Sequence, residues 1–186
     1  MPIRVIAGVA KGRALKLVPG DTTRPIMARV KEALFSILGG AVQDATVLDL
    51  FAGTGSVGIE ALSRGAASAL FVERDAYAAR VIEDNLRSTG FSNQGRVRRA
   101  DVRDFLRRPP TQGYEIVYVA PPQYKGLWRE TLTLLDAHPE HVAPDGLVVV
   151  QIDPQEKEPV TLTTLVPYDE RRYGSTLLWF FERPGE

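Results

Sequence analysis

The chain has 186 residues, of which 44% are hydrophobic and 25% charged, as expected for one soluble globular domain. It contains no cysteine, which excludes disulfides and thiolate metal sites and fits a reducing compartment. No apolar run reaches the roughly 18 residues that a membrane span requires, and the N-terminus lacks a signal-peptide core, so the sequence predicts a cytoplasmic protein without a membrane partner.

The formal net charge is zero, but basic residues concentrate towards the N-terminus. Residues 1–31 contain seven lysines and arginines against one acid, Asp21, a balance of +6, and the rest of the chain carries −6. A basic segment attached to an acidic body favours a polyanionic partner. A solvated basic surface without such a partner explains the same pattern equally well, so charge alone leaves both interpretations open.

The first segment, IRVIAGVAKGRALKLVPG, predicts two short strands joined at AKG as a hairpin. The following GDTTRP is predicted as loop, because the residue before a proline favours extended backbone. In ARVKEALFSILGG, apolar residues at helical spacing predict a helix that ends at Gly39 and Gly40. We therefore expect residues 1–25 to form a basic hairpin arm and residues 26–186 to form the main domain.

From residue 46 onwards, predicted strands and helices alternate. The strands are TVLDLF, SALFVE, RVRRA, YEIVYVA and GLVVVQID, and the helices between them are SVGIEALSRG, DAYAARVIEDNLRSTG, DVRDFLRR and LWRETLTLLDA. Strands with continuous apolar runs, separated by helices, indicate a parallel sheet covered on both faces. The last two predicted strands, PVTLTTLV and STLLWFFE, are separated only by a loop, which predicts an antiparallel hairpin at one edge of the sheet.

A glycine-rich turn follows the first strand of this alternating region. Gly53, Gly55 and Gly58 in FAGTGSVG match the pattern G-x-G-x-x-G between a strand and a helix. Such glycines allow a tight turn whose backbone closely approaches a ligand, although a turn that only packs has the same pattern. Because ligands bind at the carboxyl ends of the strands in an open α/β sheet, we expect the functional residues directly after the strands.

Three acids stand at the ends of successive predicted strands. Asp49 precedes the glycine turn, where a carboxylate repels a pyrophosphate and suits a cationic or amine-bearing ligand. Glu73 ends the next strand, where a carboxylate can accept both hydroxyls of a ribose, and Asp101 follows the third, where it can accept from an adenine amino group. Each acid alone is explained by a helix cap or a solvated loop, but three at successive strand ends favour a shared ligand.

The stretch DLFAGTGSVGIEALSRGA resembles motif I of the S-adenosylmethionine-dependent methyltransferases with the seven-stranded Rossmann-like fold. The resemblance implies an α/β sheet of six parallel strands and an antiparallel last strand, with the N-terminal hairpin as an extension. It implies S-adenosyl-L-methionine as cofactor and S-adenosyl-L-homocysteine as product. The cofactor-binding residues that it implies are Arg24, Asp49, Phe51, Ala52, Gly53, Thr54, Gly55, Gly58, Glu73, Arg74, Asp101 and Val102. Among these, Asp49 to Gly55 would hold the methionine part, Glu73 the ribose, and Asp101 with Val102 the adenine.

The N-terminal segment resembles one bacterial family, the guanine-N2 methyltransferases of small-subunit ribosomal RNA (the RsmD type). In that family a basic hairpin precedes a TRP loop and an R-x-K-E-A-L-F helix, which here are Thr23 to Pro25 and Arg29 to Phe35. GIEALSRGA and the terminal YGSTLLWFF are also similar to this family. The resemblance implies 16S ribosomal RNA or the small ribosomal subunit as partner of a monomeric enzyme, and DNA is a further candidate partner. The residues that it implies at the RNA are Arg4, Lys11, Arg13, Lys16, Arg24 and Arg29.

The sequence APPQY follows the fourth strand of the alternating region, where aminomethyltransferases carry D/N-P-P-Y/F. In that motif the acidic or amide side chain and the first proline carbonyl accept hydrogen bonds from the base amine, and the aromatic ring stacks on a base removed from its helical stack. The prolines fix the loop and remove competing donors, and no metal is needed. The resemblance therefore implies a catalytic loop of Ala120, Pro121, Pro122, Gln123 and Tyr124, in which Ala120 lacks an acceptor and Gln123 is not aromatic.

Three hypotheses follow from this loop. The first is a guanine-N2 methyltransferase in which backbone carbonyls, with Gln123 or Tyr124, replace the missing groups; the N-terminal resemblance favours it. The second is a methyltransferase for another base amine, such as adenine N6 in DNA or RNA, since a changed pocket can change the base. The third is a nucleic-acid-binding scaffold that keeps the cofactor site without turnover. An NAD-dependent oxidoreductase is opposed by Asp49 and by the APP sequence.

Overall fold

The computed structural model describes residues 3–20 and 26–185. Its strands are β1 (Ile3–Arg4), β2 (Ala14–Leu15), β3 (Thr46–Leu50), β4 (Ser68–Glu73), β5 (Gly95–Arg99), β6 (Tyr114–Val119), β7 (Val142–Ile152), β8 (Val166–Tyr173) and β9 (Thr176–Glu182). Its α-helices are α1 (Ala28–Leu38), α2 (Ser56–Ser63), α3 (Ala76–Thr89), α4 (Val102–Arg107) and α5 (Leu127–Ala137). No helix within these described ranges combines the length and the hydropathy needed to cross a membrane.

Seven strands form one sheet in the order β5-β4-β3-β6-β7-β9-β8. The strands β3 to β7 pair in parallel, whereas β9 lies antiparallel between β7 and β8. Because β9 is antiparallel to both neighbours, β8 points in the same direction as the first five strands. The predicted α/β fold, with six strands in one direction and an antiparallel last strand, is confirmed.

Each face of the sheet carries its own hydrophobic core. The helices α1, α2 and α3 cover one face, with side chains such as Leu34, Ile59 and Ile82 fully or almost fully buried against the strands. The helices α4 and α5 cover the other face, where Leu106 and Leu132 are fully buried. Burial on both faces explains why the central strands are almost continuously apolar rather than alternating.

The N-terminal hairpin packs against the first of these cores. Its side chains Val5, Ala10 and Leu15 are buried in the same cluster as α1 and α2. A buried ion pair joins the two helices beneath the hairpin, since Lys31 Nζ of α1 lies 3.2 Å from Glu60 Oε1 of α2. The carboxylate of Glu60 also accepts the backbone N–H groups of Ile6 and Ala7, at 2.9 and 3.0 Å. The predicted hairpin is confirmed, and the domain boundary at residue 25 stays a prediction.

One glycine permits this docking. Gly8 has a φ of +84°, and a Cβ added there would lie 1.8 Å from the carbonyl oxygen of Ser63 in α2. The neighbouring Val9 N–H donates to that same carbonyl oxygen at 2.9 Å. A larger residue at position 8 would therefore separate the hairpin from the C-terminal end of α2.

The strand predicted at PVTLTTLV is wrong, because strand β8 begins only at Val166. The carboxylate of Asp136, in the last turn of α5, accepts the backbone N–H groups of Thr163, Thr164 and Leu165 at 2.8–3.2 Å. These N–H groups are thus taken by a helix side chain and not by a strand partner. The last predicted strand is confirmed as β9.

Candidate active site

A cleft of about 600 Å³ opens at the carboxyl edge of the sheet. Residues that directly follow or end four parallel strands line it: Phe51 after β3, Glu73 in β4, Asp101 after β5 and Pro122 after β6. The segment Val18 to Gly20, which follows β2, also lines the cleft. The edge at which the sequence predicted functional residues is therefore the edge that carries the cleft.

The glycine turn packs tightly on one side and is open on the other. A Cβ added at Gly58 would lie 2.3 Å from Cε1 of Phe71 and 3.2 Å from Oδ2 of Asp49, so α2 can approach β4 only with glycine there. Gly53 has a φ of +58°, and a Cβ added there would meet no atom within 4 Å. Its N–H donates to Oε1 of Glu73 at 2.9 Å. The turn is thus fixed against β4 while open space lies beside Gly53.

Asp49 lies behind the glycine turn and is 2% exposed. Its Oδ2 accepts the N–H of Gly58 at 3.1 Å. Burial raises the pKa of Asp49 to about 8, and the nearby charge of Glu73 adds to that rise. Asp49 therefore holds its proton at neutral pH until a cation or donor approaches, and its contact with a cofactor stays a prediction.

Glu73 and Arg74 stand at the end of β4 in the cleft wall. Besides accepting from Gly53, Glu73 accepts the N–H of Asp75 with Oε2 at 2.9 Å. These two backbone bonds fix the carboxylate, and each oxygen keeps lone pairs for a further donor. Arg74 is largely exposed, and its Nη1 lies 4.0 Å from Oδ2 of Asp101.

Asp101 caps α4 and carries an ion pair. Its Oδ1 accepts the N–H of Arg103 at 2.8 Å, and its Oδ2 lies 2.9 Å from Nη2 of the same arginine. The side-chain hydrogen bond from Arg103 lowers the pKa of Asp101 to about 2. Val102 is the first residue of α4, so its backbone N–H has no partner inside the helix. This strand end thus offers a fixed carboxylate beside an N–H group.

The predicted catalytic loop follows β6, and its residues become more exposed to solvent towards its C-terminal end. Ala120 is half-buried against the core, Pro121 is buried, and Pro122 reaches the cleft wall. Gln123 and Tyr124 are exposed, the tyrosine by 61%. The two prolines thus lie at the cleft edge, while the two residues after them extend towards solvent.

Tyr124 forms hydrogen bonds to two acids of the segment that follows β7. Its N–H donates to Oε1 of Glu156 at 2.8 Å, and its hydroxyl donates to Oδ2 of Asp153 at 2.7 Å. It has a φ of +61°, and Phe51, which lines the cleft, has a φ of +59°. Bulky residues adopt this backbone region rarely, and such strain concentrates at functional sites.

Two side chains that the sequence did not single out hold parts of the site. Arg103 follows Asp101 by two residues and lines the cleft. Asn85 of α3 is 1% exposed; it accepts the N–H of Lys16 at 2.7 Å and donates to the carbonyl oxygen of Thr54 at 2.9 Å. It therefore connects the hairpin with the glycine turn. In the sequence, the only indication of this role of Asn85 was a polar amide at a buried position of the helical pattern of α3.

The residues predicted to contact RNA lie on the surface of the hairpin and of α1. Arg4, Lys11, Arg13, Lys16 and Arg29 are exposed. Nζ of Lys16 lies 3.0 Å from Oδ2 of Asp84, and Nη1 of Arg13 donates to the carbonyl oxygen of Ser88 at 3.2 Å. The predicted residues Thr23, Arg24 and Pro25 lie outside the described part of the chain.

Comparison with known proteins identifies relatives along almost the whole chain. The family model for conserved hypothetical protein 95 matches residues 3–182. Ribosomal RNA small subunit methyltransferase D of Escherichia coli K12 is 33% identical over 184 residues, which cover 99% of this chain and 91% of that protein. The protein of the same name from Haemophilus influenzae is 35% identical over 153 residues, 81% of this chain and 79% of its own length.

Solved structures agree with the fold. The Escherichia coli protein yhhF is 31% identical and covers all of both chains with a TM-score of 0.89. An RNA methyltransferase from Salinibacter ruber, solved with S-adenosyl-L-homocysteine, is 16% identical and has a TM-score of 0.65 over 88% of this chain and 95% of that one. At that identity the second likeness concerns the fold alone.

Proposed function

The chain belongs to the family of conserved hypothetical protein 95, the RsmD family, and on that premise we propose that it methylates the exocyclic N2 amine of a guanine in 16S ribosomal RNA with S-adenosyl-L-methionine. The observation that carries the proposal is the cleft at the carboxyl edge of the sheet. There Phe51, which leads into the glycine turn, the two fixed carboxylates of Glu73 and Asp101, and Pro122 of the proline loop line one opening. A family relative named as a ribosomal RNA small subunit methyltransferase matches 99% of the chain.

The cleft fits the proposed cofactor. Its volume of about 600 Å³ falls within the roughly 300–1,000 Å³ of small-molecule sites. Glu73 is proposed to accept the ribose hydroxyls, and Asp101 with the N–H of Val102 is proposed to bind the amino and ring nitrogens of adenine. When bound, the cofactor supplies an electrophilic methyl group. The chain's own task is to hold a base amine beside that group, since proximity and alignment lower the barrier.

The proline loop is the proposed holder of the base amine. Pro121 and Pro122 lack N–H donors, so their segment offers carbonyl acceptors to the amine without competing donors. Pro122 stands in the wall of the cleft and follows β6, which lies on the other side of β3 from β4 and β5. A base presented there has been removed from its helical stack.

The exposed cations of the hairpin are proposed to contact RNA phosphates. Such contacts supply affinity and orientation rather than sequence choice. The hairpin is fastened to α2 and α3, so a phosphate contact there positions the RNA relative to the cleft. We propose the small ribosomal subunit or its RNA as the partner, the cytoplasm as the compartment, and a monomer as the working form.

A scaffold without turnover is the second candidate, because Ala120 carries no acceptor at the position where the motif has Asp or Asn. In that case the protein binds the cofactor and RNA but transfers no methyl group. A change of base, to adenine N6 in RNA or DNA, is the alternative in which turnover is kept.

Transfer of a labelled methyl group separates these functions. The protein is incubated with labelled S-adenosyl-L-methionine and, in separate reactions, small subunits that lack their own methylation, protein-free 16S RNA and naked DNA. We expect label in the small-subunit RNA and little in DNA. The variant Glu73→Ala, which loses a proposed ribose contact, controls for contaminating activity. Label in DNA alone supports a changed base in DNA, and cofactor binding without any transfer supports the scaffold; a changed base in RNA is distinguished by identifying the methylated nucleoside.

A further inference from the structure

The further inference rests on the proposed function and concerns the acceptor that Ala120 lacks. The strands β6 and β7 pair in parallel with Val119 opposite Val150. Continuing this register by one residue brings Ala120 level with Gln151. Neighbouring strands lie roughly 4.8 Å apart, so the amide of Gln151 stands one strand away from the methyl group of Ala120.

The two residues also share a face of the sheet. Tyr118 pairs with Val149, and both lie in the core that α1, α2 and α3 cover. Side chains alternate between faces along a strand, so Ala120 and Gln151 point towards that same face. The hydroxyl of Tyr118 donates to Oε1 of Gln151, which confirms that the amide lies on this side.

Tyr118 fixes the orientation of the amide. The ring is buried, with 4% exposure, and burial raises the pKa of its hydroxyl well above the ordinary value. The hydroxyl therefore stays protonated and continues to donate. An amide oxygen has two lone pairs, so Oε1 keeps one for a second donor, and Gln151 itself is only half-buried.

We propose that Oε1 of Gln151 accepts a hydrogen bond from the base amine and replaces the acceptor that Ala120 lacks. The contact is a hydrogen bond only, so no bond forms or breaks at Gln151. A neutral amide oxygen aligns the amine and its lone pair without removing a proton. The same contact distinguishes a purine that carries a 2-amino group from one that lacks it, because the site's acceptor is left unpaired in the second case.

The test combines substitutions at position 151 with a rescue at position 120. Gln151→Met keeps the side-chain length and removes the acceptor, and Gln151→Glu keeps an acceptor. Adding Ala120→Asp to Gln151→Met restores an acceptor from the neighbouring strand. The matched control is Gln94→Met, an exposed glutamine immediately before β5, at the amino edge of the sheet. Circular dichroism and cofactor titration verify that each variant folds and binds.

Two measurements are made on every variant. The first is kcat/KM for methyl transfer to small subunits. The second is binding, with S-adenosyl-L-homocysteine in excess, to an adenosine oligoribonucleotide with one central guanosine and to its inosine counterpart, which lacks the 2-amino group. We expect Gln151→Met to lose roughly tenfold in kcat/KM and to lose the preference for guanosine. Gln151→Glu should keep most of the kcat/KM and of the preference for guanosine. The rescued double variant should regain most of both quantities.

The two readouts separate this inference from the proposed function. If the Gln151→Met variant transfers methyl groups as well as the wild-type protein does, the inference alone is overturned. A wild-type protein that transfers nothing, yet prefers guanosine through Gln151, overturns the proposed function and supports the inference. A wild-type protein with neither transfer nor preference overturns both. If Gln151→Met does not fold, Tyr118→Phe removes the orienting donor instead, and unchanged guanosine preference in that variant overturns the inference.

Discussion

At the scale of single residues, we propose that the proton on Asp49, which is buried behind the glycine turn, controls the binding of a cationic ligand. Burial raises the pKa of this carboxyl to about 8, whereas the amino group of an amino acid-like ligand loses its proton at roughly 7.7–8.0. Between about pH 6 and 7.5 the free protein therefore holds the proton on Asp49 and the ligand holds its own. An ion pair between them requires that Asp49 release its proton.

We therefore predict that S-adenosyl-L-methionine binds more tightly as the pH rises from about 6 to 7.5, by up to about tenfold per pH unit. The sign follows because binding favours the deprotonated form of Asp49, whose pKa lies above this window. Calorimetric titration in buffers of different ionisation enthalpy should detect proton release. Asp49→Asn, which can still accept from Gly58, should lose the slope. A flat profile in the wild-type protein would show that Asp49 does not pair with the ligand.

The glycine at position 58 is a second residue whose replacement has a clear expected result. Gly58→Ala places a methyl group against the ring of Phe71, which should cost about 1–3 kcal/mol of unfolding free energy through overpacking and weaken cofactor binding. Denaturant unfolding measures the cost. Gly40→Ala is the matched control, since a Cβ there meets no atom within 4 Å. Equal stability of both variants would contradict the close approach of α2 to β4.

At the scale of secondary-structure elements, the hairpin, α1 and α2 are joined by the buried pair of Lys31 and Glu60. Burial lowers the pKa of Lys31, and the charge of Glu60 opposes that fall. The ammonium group also donates to Oγ of Ser56 at 2.9 Å and to the carbonyl oxygen of Arg4 at 3.0 Å. One side chain thus connects the start of α2, beside the glycine turn, with the hairpin.

Replacing Lys31 should therefore lower the free energy of unfolding more than the loss of an exposed ion pair does. Lys31→Met leaves the carboxylate of Glu60 buried with one cation fewer, and we expect a loss of about 3–5 kcal/mol. Lys16→Met is the matched control, because its pair with Asp84 is exposed and such pairs contribute at most about 1 kcal/mol. Chemical denaturation of both variants measures the difference. Similar losses for the two substitutions would argue against the role of the buried pair.

The alternation of strand and helix patterns was sufficient to predict β3 to β7 and the helices between them. The central strands β3 and β6 are almost continuously apolar because both of their faces are buried, whereas the edge strand β5 is mostly exposed. The start of β8 was not predictable in this way. Thr163 to Leu165 have strand-like composition, but Asp136 takes their N–H groups, and that contact is distant in sequence. The roles of Asn85 and Gln151 were missed for the same reason, since each depends on a neighbour from another element.

At the scale of the whole molecule, the basic hairpin and the cleft lie on one connected unit. Asn85 bonds to both Lys16 and Thr54, so the hairpin that is proposed to contact RNA also supports the glycine turn. The +6 balance of residues 1–31, recognisable from sequence alone, did not reveal that the hairpin is packed into the core. Folding thus converts a charge asymmetry into a basic surface at a fixed position relative to the cleft.

Neutralising two of these cations should weaken RNA binding in a salt-dependent way. The double variant Lys11→Gln and Arg13→Gln should bind 16S RNA less tightly at low salt, and the slope of log affinity against log salt should fall by about 0.7–0.9 per lost phosphate contact. Filter binding over a range of salt concentrations measures both effects. The control, Arg96→Gln with Arg98→Gln, removes two exposed charges from the edge strand β5. An equal change of slope in the control would contradict a specific role for the hairpin.

The identity of the methylated nucleoside tests the proposed function most directly. Small subunits that lack their own methylation are treated with the protein and S-adenosyl-L-methionine, the 16S RNA is digested to nucleosides, and the methylated product is identified by mass spectrometry. We expect N2-methylguanosine, at a single position of the RNA and in an amount that approaches one per subunit. A product methylated on adenine N6, or an absence of product from a protein that binds both the cofactor and the subunit, would contradict it.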